Sequence, residues 1–175
     1  MRLKTFKLSL VTGSIALGAA LALHVSGVAL ATPASAGFVS EILGRSFFER
    51  IHVNTAHGDD DVATPNLVKI MARDPSDVYM VKNTVAPGAN SGWHTHPGPS
   101  VVMVTSGTAT VYEGEDPSCT PVTYPAGTGF IDAGGTHVHL VRNAGAAPLV
   151  TVAFQIIPTG AARRIDAANP GYCQF

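Results

Sequence analysis

Two pairs of histidines stand with one residue between partners: His94 and His96 in Gly92-Trp-His-Thr-His-Pro, and His137 and His139 in Thr136-His-Val-His-Leu-Val. A neutral imidazole offers a ring-nitrogen lone pair to borderline divalent metals such as iron, zinc, copper and nickel. Three such ligands leave positions on the ion for water, dioxygen or substrate. In a strand, residues i and i+2 share a face, so each pair turns both rings to one side. Two such strands side by side make a metal site. A single histidine is ordinarily a structural side chain, but two spaced pairs, each beside a glycine turn, are hard to obtain from packing alone.

The surrounding text predicts the elements that hold them. Short β-rich runs broken by Gly and Pro cover 67–71, 78–85, 100–105, 108–112, 129–132, 136–142 and 149–157, a spacing that means a sandwich or barrel. Ser106-Gly107 between two β-branched runs reads as a hairpin turn. The run Leu149-Val-Thr-Val-Ala-Phe reads as a strand buried on both faces. Residues 38–50, with Ile42, Leu43, Phe47 and Phe48 apolar, fit either a helix or an N-terminal strand packed on the barrel. His57-Gly-Asp-Asp-Asp61 lacks the spacing of a calcium loop and reads as a solvated acidic loop, and His52 as an ordinary histidine. The tail, 158–175, is polar and carries Arg163 and Arg164.

The stretch from Gly88 through His94 and His96 to Gly107 resembles the first motif of the cupin superfamily, with Ser100 where the family usually carries a glutamate ligand. The second motif is matched by Gly127, Gly135, His139 and Asn143, with Ala133 at the usual proline and one extra residue between Gly135 and His139. The resemblance spans about 67–157. It implies an all-β fold, the double-stranded β-helix or jelly-roll barrel, preceded by a short N-terminal segment. It also implies His94, His96 and His139 as ligands of a divalent transition metal: Fe, Mn, Cu, Ni or Zn. With Ser100 in place of the carboxylate, the centre is similar to the three-histidine sites of some dioxygenases. A metal without that carboxylate keeps more net charge, which favours anionic or chelating substrates.

His137 leaves alternatives open: a fourth ligand, the third ligand itself, or a catalytic base that moves the substrate proton. The spacing to Asn143 selects His139 as the ligand. Glu113 and Asp132 are the nearest carboxylates in sequence to stand in for the glutamate, but neither occupies its motif position. Trp93 and Tyr112 read as core residues, with a pocket rim as the alternative.

The chain opens with Arg2, Lys4 and Lys7, runs apolar to about Leu30, and reaches Ala34-Ser-Ala36, the pattern of a secretory signal cut after Ala36. The expected division is signal 1–36, N-terminal extension 37–66, barrel 67–157 and tail 158–175. The mature 139 residues would carry 8 basic and 12 acidic side chains, a formal charge of −4, which argues against a nucleic-acid partner. No stable membrane span is expected after cleavage. Two cysteines in an exported chain are expected to pair, so Cys119 and Cys173 would form a disulfide. The function these residues imply is an exported metalloprotein, a dioxygenase-like oxidoreductase acting on a small molecule. A non-catalytic ligand- or metal-binding module is the alternative. The resemblance adds a homodimer.

Overall fold

The computed structural model describes residues 30–55 and 68–173. In chain order the strands are β1 (Phe38–Phe48), β2 (Ile51–Asn54), β3 (Lys69–Ala72), β4 (Ser76–Val85), β5 (His94–Thr95) and β6 (Ser100–Ser106). There follow β7 (Thr108–Glu113), β8 (Val122–Pro125), β9 (Gly129–Asp132), β10 (His139–Arg142), β11 (Leu149–Pro158) and β12 (Ile165–Asp166). No helix occurs among the described residues. One sheet has the order β1-β4-β11-β6-β9, a second β12-β5-β10-β7-β8, and β2 pairs with β3 in a separate ribbon. All strand pairs are antiparallel. The two large sheets make the expected all-β jelly-roll.

Alternation along the strands decides what fills the interior. On β11, Leu149, Thr151, Ala153, Gln155 and Ile157 are buried while the residues between them are half-buried. The run is therefore covered fully on one face only, because a two-sheet fold leaves each sheet one outer side. Apolar inward residues gather into clusters, among them Tyr79, Val81, Val102 and Ile157, and Val85, Val104, Ala109 and Leu149. Each large side chain so buried contributes roughly 1.5–3 kcal/mol. Beside these clusters the inward positions turn polar at Ser100, Asp132, Thr151 and Gln155. Buried polar groups need partners: Asn83 Nδ2 donates to Thr151 Oγ1 (3.3 Å) and Gln155 Nε2 to Ser100 Oγ (2.8 Å).

Several sequence expectations are corrected. Ser106-Gly107 is not a hairpin, since β6 and β7 lie in different sheets; it is a corner between sheets. Gly107 has φ +73°, and a Cβ there would stand 2.8 Å from the Pro148 carbonyl. The run 67–71 yields β3, which pairs only with β2 outside the two sheets. Of the two forms open to residues 38–50, the strand is the one observed: the long ladder of Phe38–Phe48 to β4 outweighs the mild helical pattern. As the outer strand, β1 exposes Val39, Ile42, Leu43, Phe47 and Phe48. The second histidine run becomes a strand only from His139, leaving His137 in the preceding turn.

The tail folds back as β12 against β5, and Cys119 is bonded to Cys173. Residues 31–36, assigned above to the discarded signal, pack on the loop before β5. Trp93 N donates to Thr32 Oγ1 (2.8 Å), Asn90 N donates to Ser35 Oγ (2.8 Å), and Thr32 N donates to the Ala167 carbonyl (2.8 Å). The apolar signal stretch up to residue 29 and the acidic loop 57–61 lie outside the described residues. No described helix is long and apolar enough to cross a membrane.

Candidate metal centre

β5 and β10 are paired so that His94 stands directly opposite His139. Two residues after His94, the His96 ring lies 5.0 Å from that of His94 and 5.8 Å from that of His139; the His94 and His139 rings are 4.3 Å apart. One ring nitrogen of each lies within 4.8 Å of the others. All three side chains are buried.

Backbone carbonyls set two of the tautomers. His94 Nδ1 is 3.0 Å from the Gly92 carbonyl and His96 Nδ1 is 2.6 Å from the Arg163 carbonyl. A carbonyl only accepts, so each Nδ1 carries the hydrogen and each Nε2 keeps its lone pair, the arrangement that orients a histidine for a metal. Burial pushes His94 well below the ordinary imidazole value, with the charges of His139, Arg164 and His96 adding to it. Burial also lowers His96 and takes His139 down to about 4. The three rings are therefore neutral near pH 7.

Two unpaired atoms bear on the fit to a metal. His139 Nδ1 and Asp132 Oδ2 are buried with no hydrogen-bond partner among the described residues. Buried polar atoms without a protein partner are costly, and an ion is what imidazole and carboxylate atoms in such a place accommodate. The residues fit a divalent transition metal.

The other expected site residues have different places. Ser100 lines the cavity beside the histidines, its hydroxyl held by Gln155. Asn143 is buried but serves a turn: its Nδ2 donates to the Val85 and Ala147 carbonyls and its Oδ1 accepts from Gly145 N. Trp93 is core, packed with Tyr112, Leu140 and Cys173. His137 is half-buried with both nitrogens facing carboxylates: Nε2 is 2.6 Å from Glu113 Oε2 and Nδ1 is 3.2 Å from Asp132 Oδ1. Its partial burial would lower its pKa, but Asp132 and Glu113 outweigh that and raise it. His137 does not line the cavity; Asp132, which does, stands between.

Sequence reasoning missed the roles of Gln155, Arg163 and Arg164. Gln155 had one signal, a polar residue in register with the apolar inward series of β11. The arginines had none, because only the returning tail brings them to the cavity wall. Arg163 Nη1 donates to Gln155 Oε1 (2.9 Å), and Arg164 donates through Nη2 to the Ser91 carbonyl (2.6 Å) and through Nε to Asp166 (2.7 Å). The cavity they share with the histidines is about 60 Å³, room for about five water-sized groups.

Residues 82–154 match the family model described as the cupin domain. This stretch is a cupin domain. Similar solved structures include an uncharacterized conserved protein with a double-stranded β-helix domain from Klebsiella pneumoniae, 26% identical over 52% of this chain and 70% of that one, TM-score 0.44. A cupin 2 conserved barrel domain protein from Leptotrichia buccalis is 18% identical over 68% of this chain and 40% of that one, TM-score 0.42. An oxalate oxidase in complex with the substrate analogue glycolate is 21% identical over 51% of this chain and 46% of that one, TM-score 0.43. Among curated proteins, none matches the chain. In this cupin barrel both histidine motifs lie in the same sheet, at the end covered by the tail.

Proposed function

We propose that this cupin is an exported metalloprotein whose His94, His96 and His139 bind a divalent transition metal, and that it acts as a dioxygenase-like oxidoreductase on a small chelating or anionic substrate. The observation that carries the reading is the convergence of three buried, neutral imidazoles, two with Nδ1 tied to carbonyls, on a cavity also lined by two arginines. A bound metal supplies Lewis acidity and, for iron, manganese, copper or nickel, one-electron chemistry toward dioxygen. The chain does the rest. Arg163 and Arg164 place positive charge on the wall and draw in an anion. The cavity volume limits the substrate to a few heavy atoms. His137 reaches the cavity only through Asp132, so in this reading it holds that carboxylate in place. The disulfide supports export, since such bonds persist in oxidising compartments. A homodimer stays a proposal, read out by light scattering.

The test is metal content by plasma mass spectrometry on untagged protein, followed by oxygen uptake with small diketones, thiols and carboxylates. Near-stoichiometric metal lost in His94→Ala/His96→Ala, with uptake on one of these classes, supports the proposal. Metal without any uptake reassigns the protein to ligand or metal binding without turnover. Absence of metal after reconstitution removes the metalloprotein reading.

A further inference from the structure

We infer that Asp132, His137 and His139 form a second seat for a divalent transition metal, an outer one that shares His139 with the three-histidine centre. The inference goes beyond the metal-binding reading above and leans on it only at that shared ring, so the two can fail separately.

The chain builds this seat locally. All three residues lie on the connection from β9 to β10, with Asp132 the last residue of one strand and His139 the first of the next. Between them Gly134 and Gly135 have φ +73° and +68°, backbone that a residue with a Cβ adopts only under strain. Gly134 N donates to Asp132 Oδ1 (2.9 Å) and His137 N to the Gly134 carbonyl (3.3 Å), so the turn closes and brings His137 back to Asp132. Gly135 N donates to the His96 carbonyl (2.7 Å) and Thr95 Oγ1 to the Gly135 carbonyl (2.8 Å), which fixes the turn against β5. From β7, Glu113 stands opposite His139, and Gly114 N donates to the Val138 carbonyl (2.7 Å). That register sets Glu113 Oε2 2.6 Å from His137 Nε2.

Ligand atoms of Asp132, His137 and His139 lie within 4.8 Å of one another. Asp132 Oδ1 is 3.2 Å from His137 Nδ1 and 3.8 Å from His139 Nδ1. Atoms bound to one ion at about 2.1 Å each stand at most about 4.2 Å apart, and both distances fall inside that span. Ion pairing alone explains only part of this arrangement. A protonated His137 between Glu113 and Asp132 satisfies its own two nitrogens, but it leaves His139 Nδ1 with no hydrogen-bond partner among the described residues. His139 is 3% exposed and Asp132 2%, and 3.8 Å is too long for a hydrogen bond between them. An ion held by both removes the cost of that stranded nitrogen. Glu113 then accepts from His137 Nε2 and leaves Nδ1 its lone pair, as a carboxylate behind a metal-bound histidine does.

Two imidazoles and a carboxylate suit zinc or iron(II) and leave positions open on the ion. His137 is half-buried, so an ion in this seat meets water, whereas the three histidines of the inner seat are all buried. A neutral imidazole has one ring-nitrogen lone pair to give. His139 therefore serves one seat at a time, and each chain holds one ion.

The test is equilibrium dialysis of the full chain against a series of free zinc concentrations. It compares native protein, His94→Ala/His96→Ala, and that double variant with His137→Ala added, each checked for folding by circular dichroism. Native protein should hold one zinc. The double variant should also hold one, more weakly, filling under added zinc and emptying on purification. The triple variant should bind about a hundredfold or more below the double, beyond the roughly 10–100-fold that loss of a residue outside the ligand shell costs. A double variant that binds no zinc, or a triple variant that binds like the double, overturns the inference and leaves the three-histidine reading standing. Two ions on native protein overturn the sharing of His139. A double variant as tight as native removes the three-histidine seat and leaves the outer one. Native protein that binds no zinc overturns both. If the alanine variants fail to fold, His94→Asn/His96→Asn with and without His137→Asn repeats the comparison with polar side chains kept in the interior, and the same outcomes decide.

Discussion

Removing the Cys119–Cys173 bond should weaken the fold and loosen the site together. The two cysteines are 54 residues apart. Cross-linking a loop of that length removes about 14 cal/mol/K from the unfolded chain, or about 4 kcal/mol at 25 °C. Against the 5–15 kcal/mol typical of a domain, that is a large share. Cys173 is also buried beside Trp93, Tyr112 and Leu140, so truncation to Ala adds a packing loss on the order of 1 kcal/mol. Between β11 and Cys173 the tail is paired through Ile165 and Asp166 and, just beyond them, through Ala167 with Thr32 and Trp93 and through Ala168 with Ala31; it delivers the Arg163 carbonyl to His96 and both arginines to the cavity. In urea denaturation of metal-free protein, Cys119→Ala/Cys173→Ala should lose about 4–5 kcal/mol and unfold with a steeper slope, since its unfolded state exposes more surface. Zinc affinity should fall about 10–100-fold as His96 loses its carbonyl partner. A stability change under about 1 kcal/mol with an unchanged slope would refute the loop argument. Unchanged zinc affinity would show that β12 and the backbone pairing of Ala167 and Ala168 hold the tail in place without the disulfide.

His139→Ala should abolish zinc retention while His137→Ala lowers it only about 10–100-fold, because His139 stands opposite His94 and His137 touches the cavity through Asp132; equilibrium dialysis separates the two. The metal-free fold should weaken as pH drops from about 6.5 toward 5, because the unfolded chain takes up protons that the lowered His94, His96 and His139 refuse. The raised His137 acts in the opposite sense, losing its contribution as pH rises, but it is one group against three; denaturant midpoints that rise on acidification would contradict the assignment. Gly134→Ala should cost at least about 1 kcal/mol in thermal unfolding, since Gly134 has φ +73° and no room for a Cβ. Under the export proposed above, a cut that keeps Thr32 and Ser35 on the loop of Trp93 falls after Ala29-Leu30-Ala31; an intact mass starting at Gly37 would refute this and support the cut after Ala36.

The sequence alone determined the chemistry on offer and the kind of element that offers it. His94 and His96 could be read as one-sided because the two-residue period of a strand is local, and the β-rich runs announced a barrel for the same reason. The two cysteines announced their bond by number and by the export pattern. What lay beyond local pattern was decided in three dimensions. No spacing says that Asp132 will be paired with Ser100, because register between β9 and β6 follows from how two sheets close over one interior. Gly107 could be read as a turn but not as a corner, since the sheet a strand enters depends on its far partners. The spacing to Asn143 favoured His139 over His137, but the place of His137 was decided only where the strand begins at His139 and leaves His137 to Glu113 and Asp132. Arg163, Arg164 and Thr32 are remote in sequence from every motif. They come to the β5 region only because residues 31–36 and the segment after β11 fold back onto it, a matter of long-range contacts that local spacing does not show.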